Sequence, residues 1–355
     1  MPTRIARYAF LNARVSMLAT RLLPEGGLIP FLDAPLGEQK TLLAKVGITQ
    51  VDPEAIERAD AVDLIVAQQL LDDITQLVRP LSGPARELVM YWAHRFELAN
   101  LKTLLRGRFH GEDPESIKQQ LMDLGEYQTL KVDALLAAED VAELLRQLES
   151  HGHYADIARQ ARQVYEERHD LFTLEASVDR QYFAGLSAVA ARFRGAGAKQ
   201  LHELVADVID RINLIWLLRY RFAYGLPPAE AYYLLVPAGG RLTRSRLLTL
   251  VELDGWEQVQ GQLPEPLKTW VQDARSTGEV HRLAKTHALD RARQILEGTS
   301  FNFARAFAYL LLREWDLRRI AAILKGKVLR LSPEAIEVAA DLQSTGPAST
   351  EVAAA

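Results

Sequence analysis

Glu97-Leu98-Ala99-Asn100-Leu101-Lys102-Thr103-Leu104-Leu105-Arg106-Gly107-Arg108 is one of three similar stretches whose likeness decides how this chain folds. The second is Asp210-Arg211-Ile212-Asn213-Leu214-Ile215-Trp216-Leu217-Leu218-Arg219-Tyr220-Arg221. The third is Asp316-Leu317-Arg318-Arg319-Ile320-Ala321-Ala322-Ile323-Leu324-Lys325-Gly326-Lys327. Each opens on an acid, has a polar residue three later, and has apolar residues four, seven and eight later. Each closes on a base, a Gly or Tyr, and a second base. The apolar spacing is that of an amphipathic helix.

Working outward, Pro114, Pro227 and Pro333 each lie seven residues past the Gly or Tyr, where they favour the start of a further helix. Helix starts are expected upstream at Pro84, at Gly197 and at the Thr299-Ser300 cap. One copy is thus a helix of roughly 25 residues, about 40 Å long, whose basic end suits the negative pole of its dipole. Gly107 and Gly326 are expected to take the left-handed cap conformation. Three copies at near-equal spacing predict an all-α chain of three similar units over residues 1–125, 126–235 and 236–342. Their cores should bury Ile212, Ile215, Leu217 and Leu218 in the second copy, and Leu311, Ile320, Ile323 and Leu324 in the third. The small, polar tail 343–355 has little to bury and reads as disordered.

The rest of the chain agrees. Val66, Leu70, Ile74, Leu77 and Val78 repeat the helical period, and alternating runs of strand length are scarce. Of 355 residues, 48% are hydrophobic and 25% charged, which excludes wholesale disorder. The net charge of −4 lacks the basic excess of a protein whose main partner is nucleic acid. With no cysteine, disulfides, iron–sulfur clusters and thiol chemistry are excluded, as suits a reducing compartment. Arg residues interrupt the most apolar stretches, Ile212 to Leu218 and Phe307 to Leu312, well short of the roughly 20 apolar residues of a spanning helix. MPTRIARYAF is basic but lacks the apolar core of a signal peptide.

Enzyme signatures fail in turn. Gly195-Ala196-Gly197-Ala198-Lys199-Gln200 has neither the spacing nor the hydroxyl of a phosphate loop and reads as a linker opening a helix. Leu71-Asp72-Asp73-Ile74-Thr75-Gln76 approaches the Asp-rich magnesium motif of prenyl-diphosphate enzymes, but Gln76 stands at the third acid. His151 and His153, with Asp156, form an incomplete metal set. His94, among Tyr91, Trp92 and Phe96, reads as a packing residue, and there is no Gly-x-Ser-x-Gly elbow. The expectation is a protein with no catalytic residue, no metal and no cofactor.

The stretch Ala308 to Lys327 resembles the closing motif of the C subunit of the archaeal and bacterial A/V-type ATPases, the family homologous to the d subunit of the vacuolar ATPase. Tyr8-Ala9-Phe10-Leu11-Asn12-Ala13-Arg14-Val15 resembles its N-terminal Tyr-x-x-x-Asn-Ala-Arg-Val signature. Asp179-Arg180-Gln181-Tyr182-Phe183 resembles the acid and aromatic pair that opens its second unit. Trp315 and Arg319 depart from the pattern, standing where Glu or His and Asn are commoner. The resemblance implies a pseudo-threefold funnel of helices, peripheral on the cytoplasmic face of the membrane. There it would join the central stalk to the proteolipid ring, as a rotor subunit in ATP-linked proton or sodium transport. A cytosolic helical-repeat adaptor unrelated to any ATPase is the competing reading.

Each repeat needs one cation for its dipole yet carries two. Arg106, Arg108, Arg219, Arg221, Lys325 and Lys327 are therefore expected to form a basic, partner-binding rim. On the resemblance, that partner is the acidic foot of the central stalk, and charge would orient its docking.

Overall fold

The computed structural model describes residues 4–150, 152, 154–237, 239–298 and 302–342. All regular structure among them is helical, as the apolar period requires. His151, His153, the Thr299-Ser300 cap and the tail from 343 lie outside the described residues.

Packing groups the chain into two compact units. Among the described residues, one comprises those up to Val15 together with those of Ile74–Tyr309; the other comprises Ser16–Asp73 and those from Leu310 to Leu342.

In the first of these, the first repeat helix runs Gly83–His110, entered from an extended Ser82 with Pro84 in its opening turn. The helix Leu171–Arg192 packs on it, and the Asp179 to Phe183 motif supplies the fastening. Lys102 Nζ donates to Asp179 Oδ1 at 2.9 Å, and the rings of Tyr91 and Tyr182 stack with centroids 5.3 Å apart. The Tyr91 hydroxyl donates to the Tyr182 carbonyl at 3.1 Å, in space that a side chain at Gly185 would fill. His94 lies beside the rings of Tyr91 and Tyr154, in the packing role expected of it. In the N-terminal signature, Asn12 Nδ2 donates to the Tyr8 carbonyl at 2.7 Å, and its Oδ1 accepts from Arg305 at 2.9 Å.

The second repeat helix, Ala198–Leu218, follows a left-handed Gly197 (φ 82°), so the glycine-rich segment is the helix-opening linker. Leu101, Leu104 and Leu105 pack into one core with Leu135, Leu144 and Leu145. Leu214, Leu217 and Leu218 pack into another with Leu247, Leu250 and Val280. Ile212 and Leu311 are half-buried rather than enclosed; the other six expected core residues are buried. Leu104→Ala or Leu217→Ala is expected to lower unfolding free energy by about 2–5 kcal/mol. A urea titration checks this, and an unchanged midpoint would contradict the core assignment.

The third repeat helix runs Ala304–Val328, and the part of it from Leu310 onward, in the other unit, carries a fully enclosed Arg313. Its Nε donates to Asp73 Oδ2 at 3.0 Å. Its Nη1 and Nη2 donate to the carbonyls of Arg21 and Val46 at 3.0 and 2.6 Å. Asp73, from the stretch weighed as a magnesium motif, is thus an internal counter-ion, held also by Arg21 at 2.7 Å.

Candidate partner-binding helix ends

Each residue of the repeat motif has a distinct task. The opening acid caps a loop. Glu97 Oε1 accepts from the backbone amides of Thr129 and Leu130, and Oε2 accepts from the hydroxyls of Thr129 and Tyr154. Asp210 accepts from the amides of Gly240, Arg241 and Leu242 at 3.0, 2.8 and 3.0 Å. Asp316 Oδ2 accepts from the amide of Leu23 at 2.8 Å. All three acids are buried, and charged acceptors are matched there to donors that would otherwise lack water. Burial pushes the Asp210 carboxyl above its ordinary range, against the opposing pull of the amides and Arg241.

Three residues on, Asn100 clasps Met122 in both directions: Nδ2 to the carbonyl at 2.7 Å, and Oδ1 from the amide at 2.8 Å. Asn213 clasps Val236 in the same way, at 3.1 and 2.8 Å. Arg319 has no acceptor atom, so it supplies only the donor half, Nε to the Ala340 carbonyl at 2.9 Å.

The glycines do something other than expected. Neither Gly107 nor Gly326 is left-handed; the cap falls four residues later, at Gly111 (φ 72°) and Arg330 (φ 54°). The helix continues because its inner face still has a partner. A Cβ at Gly107 would sit 2.6 Å from Ile117 Cδ1, and one at Gly326 would sit 2.5 Å from Ile336 Cγ1. Glycine here permits close approach of the next helix.

The second copy solves the same packing problem differently. Tyr220 is buried where the others have glycine, and the turn Arg219–Ala223 widens to a π-helix. The extra residue moves the left-handed Gly225 and the next helix one place on, so Pro228 rather than Pro227 is its first residue. Ala231 is the fourth residue of that helix, as Ile117 and Ile336 are of theirs, and shares a core with Tyr220.

The six basic residues divide into two sets. The second of each pair is turned onto backbone carbonyls. Arg108 donates to Leu136, and Arg221 donates to Val251 and Leu226 at 2.5 and 2.7 Å. Lys327 donates to Leu32 and Ala34 at 2.6 and 2.9 Å. These three lock the helix ends in place, a role that the letters alone do not separate from the rim. The first of each pair points outward. Arg106 forks onto Glu175, and Lys325 meets Asp63 at 2.7 Å. Arg219 is exposed and makes no ion pair among the described residues.

Matching tasks at matching positions show that the three stretches repeat in geometry as well as in letters. The family model described as ATP synthase (C/AC39) subunit matches residues 11–338. This chain belongs to that family. Curated relatives, each named as the C subunit of an A-type ATP synthase, agree. That of Methanocaldococcus jannaschii is 24% identical over 94% of this chain and 86% of the relative. That of Methanosarcina mazei is 23% identical over 94% of this chain and 92% of the relative. That of Methanococcoides burtonii is 22% identical over 93% of each.

Membership in a family of ATP synthase subunits answers the competing adaptor reading. The family resemblance read from Tyr8, Asn12, Asp179, Tyr182 and the Ala308 to Lys327 stretch therefore holds along nearly the whole chain. No helix of the described residues is long and apolar enough to cross a membrane.

Proposed function

We propose that this chain is a non-catalytic rotor subunit of an A/V-type rotary ATPase or ATP synthase. In that role it sits peripherally on the cytoplasmic face and couples the central stalk to the membrane proteolipid ring during proton or sodium transport. Its three repeats, over 1–125, 126–235 and 236–342, would be set in a pseudo-threefold funnel.

The observation that carries the reading is the common fastening of the three helix ends. A long helix closed by a capped acid, a side-chain clasp and an inward base is a stiff strut, and torque passes through struts rather than loops. Beyond that fastening, Arg106, Arg219 and Lys325 face outward as the rim offered to an acidic stalk foot, while Arg108, Arg221 and Lys327 keep the rim in shape.

Two measurements test this. A tagged copy expressed in its host should co-purify with membranes carrying the catalytic, stalk and proteolipid subunits, and recovery only from the soluble fraction would count against it. The combined variant Arg106→Gln, Arg219→Gln, Lys325→Gln should slow association with purified stalk subunits by about tenfold at low salt and flatten the salt dependence. A rate and salt dependence equal to those of the unaltered chain would remove the rim.

A further inference from the structure

The three helix ends are unequal, and the inequality falls on one of them. Only the second carries the π-helical turn Arg219–Ala223, and single-turn π segments inside helices gather at functional sites. Only there does the outward cation lack an ion pair among the described residues, since Arg106 has Glu175 and Lys325 has Asp63. Beside it three aromatic rings come to the surface: Phe172 is 40% exposed, Phe222 36% and Tyr224 55%. Phe172 meets Tyr224 edge-on at 5.2 Å and the buried Tyr220 at 5.6 Å, so those two exposed rings are braced against each other and against a buried one. The first end exposes Phe109, already packed against Tyr165, and the third exposes the aliphatic Leu329 and Leu331.

A cleft of about 500 Å³ opens next to Phe222, lined by Leu218, Phe222 and Trp256 and by the charged Arg221, Asp254 and Arg275. Rigid aromatic rings, a guanidinium with no ion pair among the described residues and an adjoining pocket are the features of an interface hot spot, where a few anchors carry most of the binding energy.

We propose that the Arg219–Tyr224 turn, with Phe172 and the adjoining cleft, is the principal docking point for a protein partner presenting a carboxylate beside an apolar side chain. The inference rests on the proposed rotor function: the partner is the stalk foot, and this end grips it more tightly than the other two. A partner carboxylate would take the two-pronged hydrogen bonds that Arg219 offers. The neighbouring apolar side chain would enter the cleft between Phe222 and Trp256. Charge favours a protein over a lipid surface, because Asp254 lines the cleft together with Arg221 and Arg275, and a lining of both signs suits a mixed protein surface better than an anionic bilayer.

The experiment measures affinity of the full chain for the purified central-stalk subunits, with circular dichroism and thermal melting confirming that each variant folds. Arg219→Gln with Tyr224→Ala, and separately Phe222→Ala, should each weaken binding by at least about 30-fold, the scale of hot-spot residues. Arg106→Gln and Lys325→Gln should weaken it by only about threefold, as rim charges do. Equal weakening at all three ends would overturn this inference while leaving the rim intact. No weakening by any variant would overturn both. Loss of binding to anionic phosphatidylglycerol vesicles, with stalk affinity unchanged, would overturn the protein partner in favour of a membrane.

Discussion

Arg313→Ala is expected to destabilise the unit built from Ser16–Asp73 and the residues from Leu310 onward by about 3–5 kcal/mol. The guanidinium and the Asp73 carboxylate are both fully enclosed, and the guanidinium also satisfies the carbonyls of Arg21 and Val46. Truncation leaves one buried carboxylate oxygen without its cation and two carbonyls without their donor. A buried charge that loses its partner is far more costly than a pair that was never there. The double variant Arg313→Met, Asp73→Leu should therefore lose less stability than Arg313→Met alone. Arg21, whose side chain is 27% exposed, can turn to water when Asp73 is removed. Urea titrations of the single and double variants decide the matter. An Arg313→Ala chain within about 1 kcal/mol of the unaltered one, the net worth of an ordinary hydrogen bond, would show that the network is dispensable.

The second large effect concerns the glycines inside the repeat helices. Gly107→Val is expected to cost about 1–3 kcal/mol through overpacking, because its Cβ would lie well inside the 3.5–4.0 Å at which carbons rest against one another. Gly326→Val should behave alike against Ile336. The second copy shows the complementary arrangement, with Tyr220 large and Ala231 small. Combining Gly107→Val with Ile117→Ala should accordingly be milder than the sum of the two, with a coupling of about 0.5–3 kcal/mol in a double-mutant cycle. Tyr220→Gly, which empties a filled site, should cost about 3–5 kcal/mol. Strict additivity of the first pair would mean that the two positions do not share their space.

The corrections to the sequence reading have a common source. Gly107 looks like a cap because glycine followed by a base and a proline fits a helix end, yet the helix runs on to His110. What holds it helical is Ile117 on the returning helix, and nothing in the letters around position 107 shows that return. Arg221 reads as a member of the partner-binding rim because each repeat carries a second base beyond the one its dipole needs. Its turn toward Val251 and Leu226 depends on a loop thirty residues away. Arg313 sits in a run of leucines, and that context was the available signal of an enclosed charge; its counter-ion, Asp73, lies 240 positions earlier in the chain. The extra residue of the π turn was visible only as Tyr220 standing in place of glycine.

Composition and periodicity by themselves determined the helical class, because side-chain spacing along a helix is a local property that any twelve-residue window displays. The repeated motif is likewise legible in the letters, and the family in the resemblance of Tyr8 to Val15, Asp179 to Phe183 and Ala308 to Lys327 to known members. Tertiary structure decided which member of each basic pair faces out and why the first and third copies require glycine where the second requires tyrosine. It also decided what completes the third copy. Glu97 and Asp210 cap loops that follow them in sequence, but Asp316 caps Leu23, and Lys327 holds Leu32 and Ala34. The third copy is closed by the chain's own beginning. Such pairings link residues nearly three hundred positions apart, and only folding brings their donors and acceptors within hydrogen-bond reach.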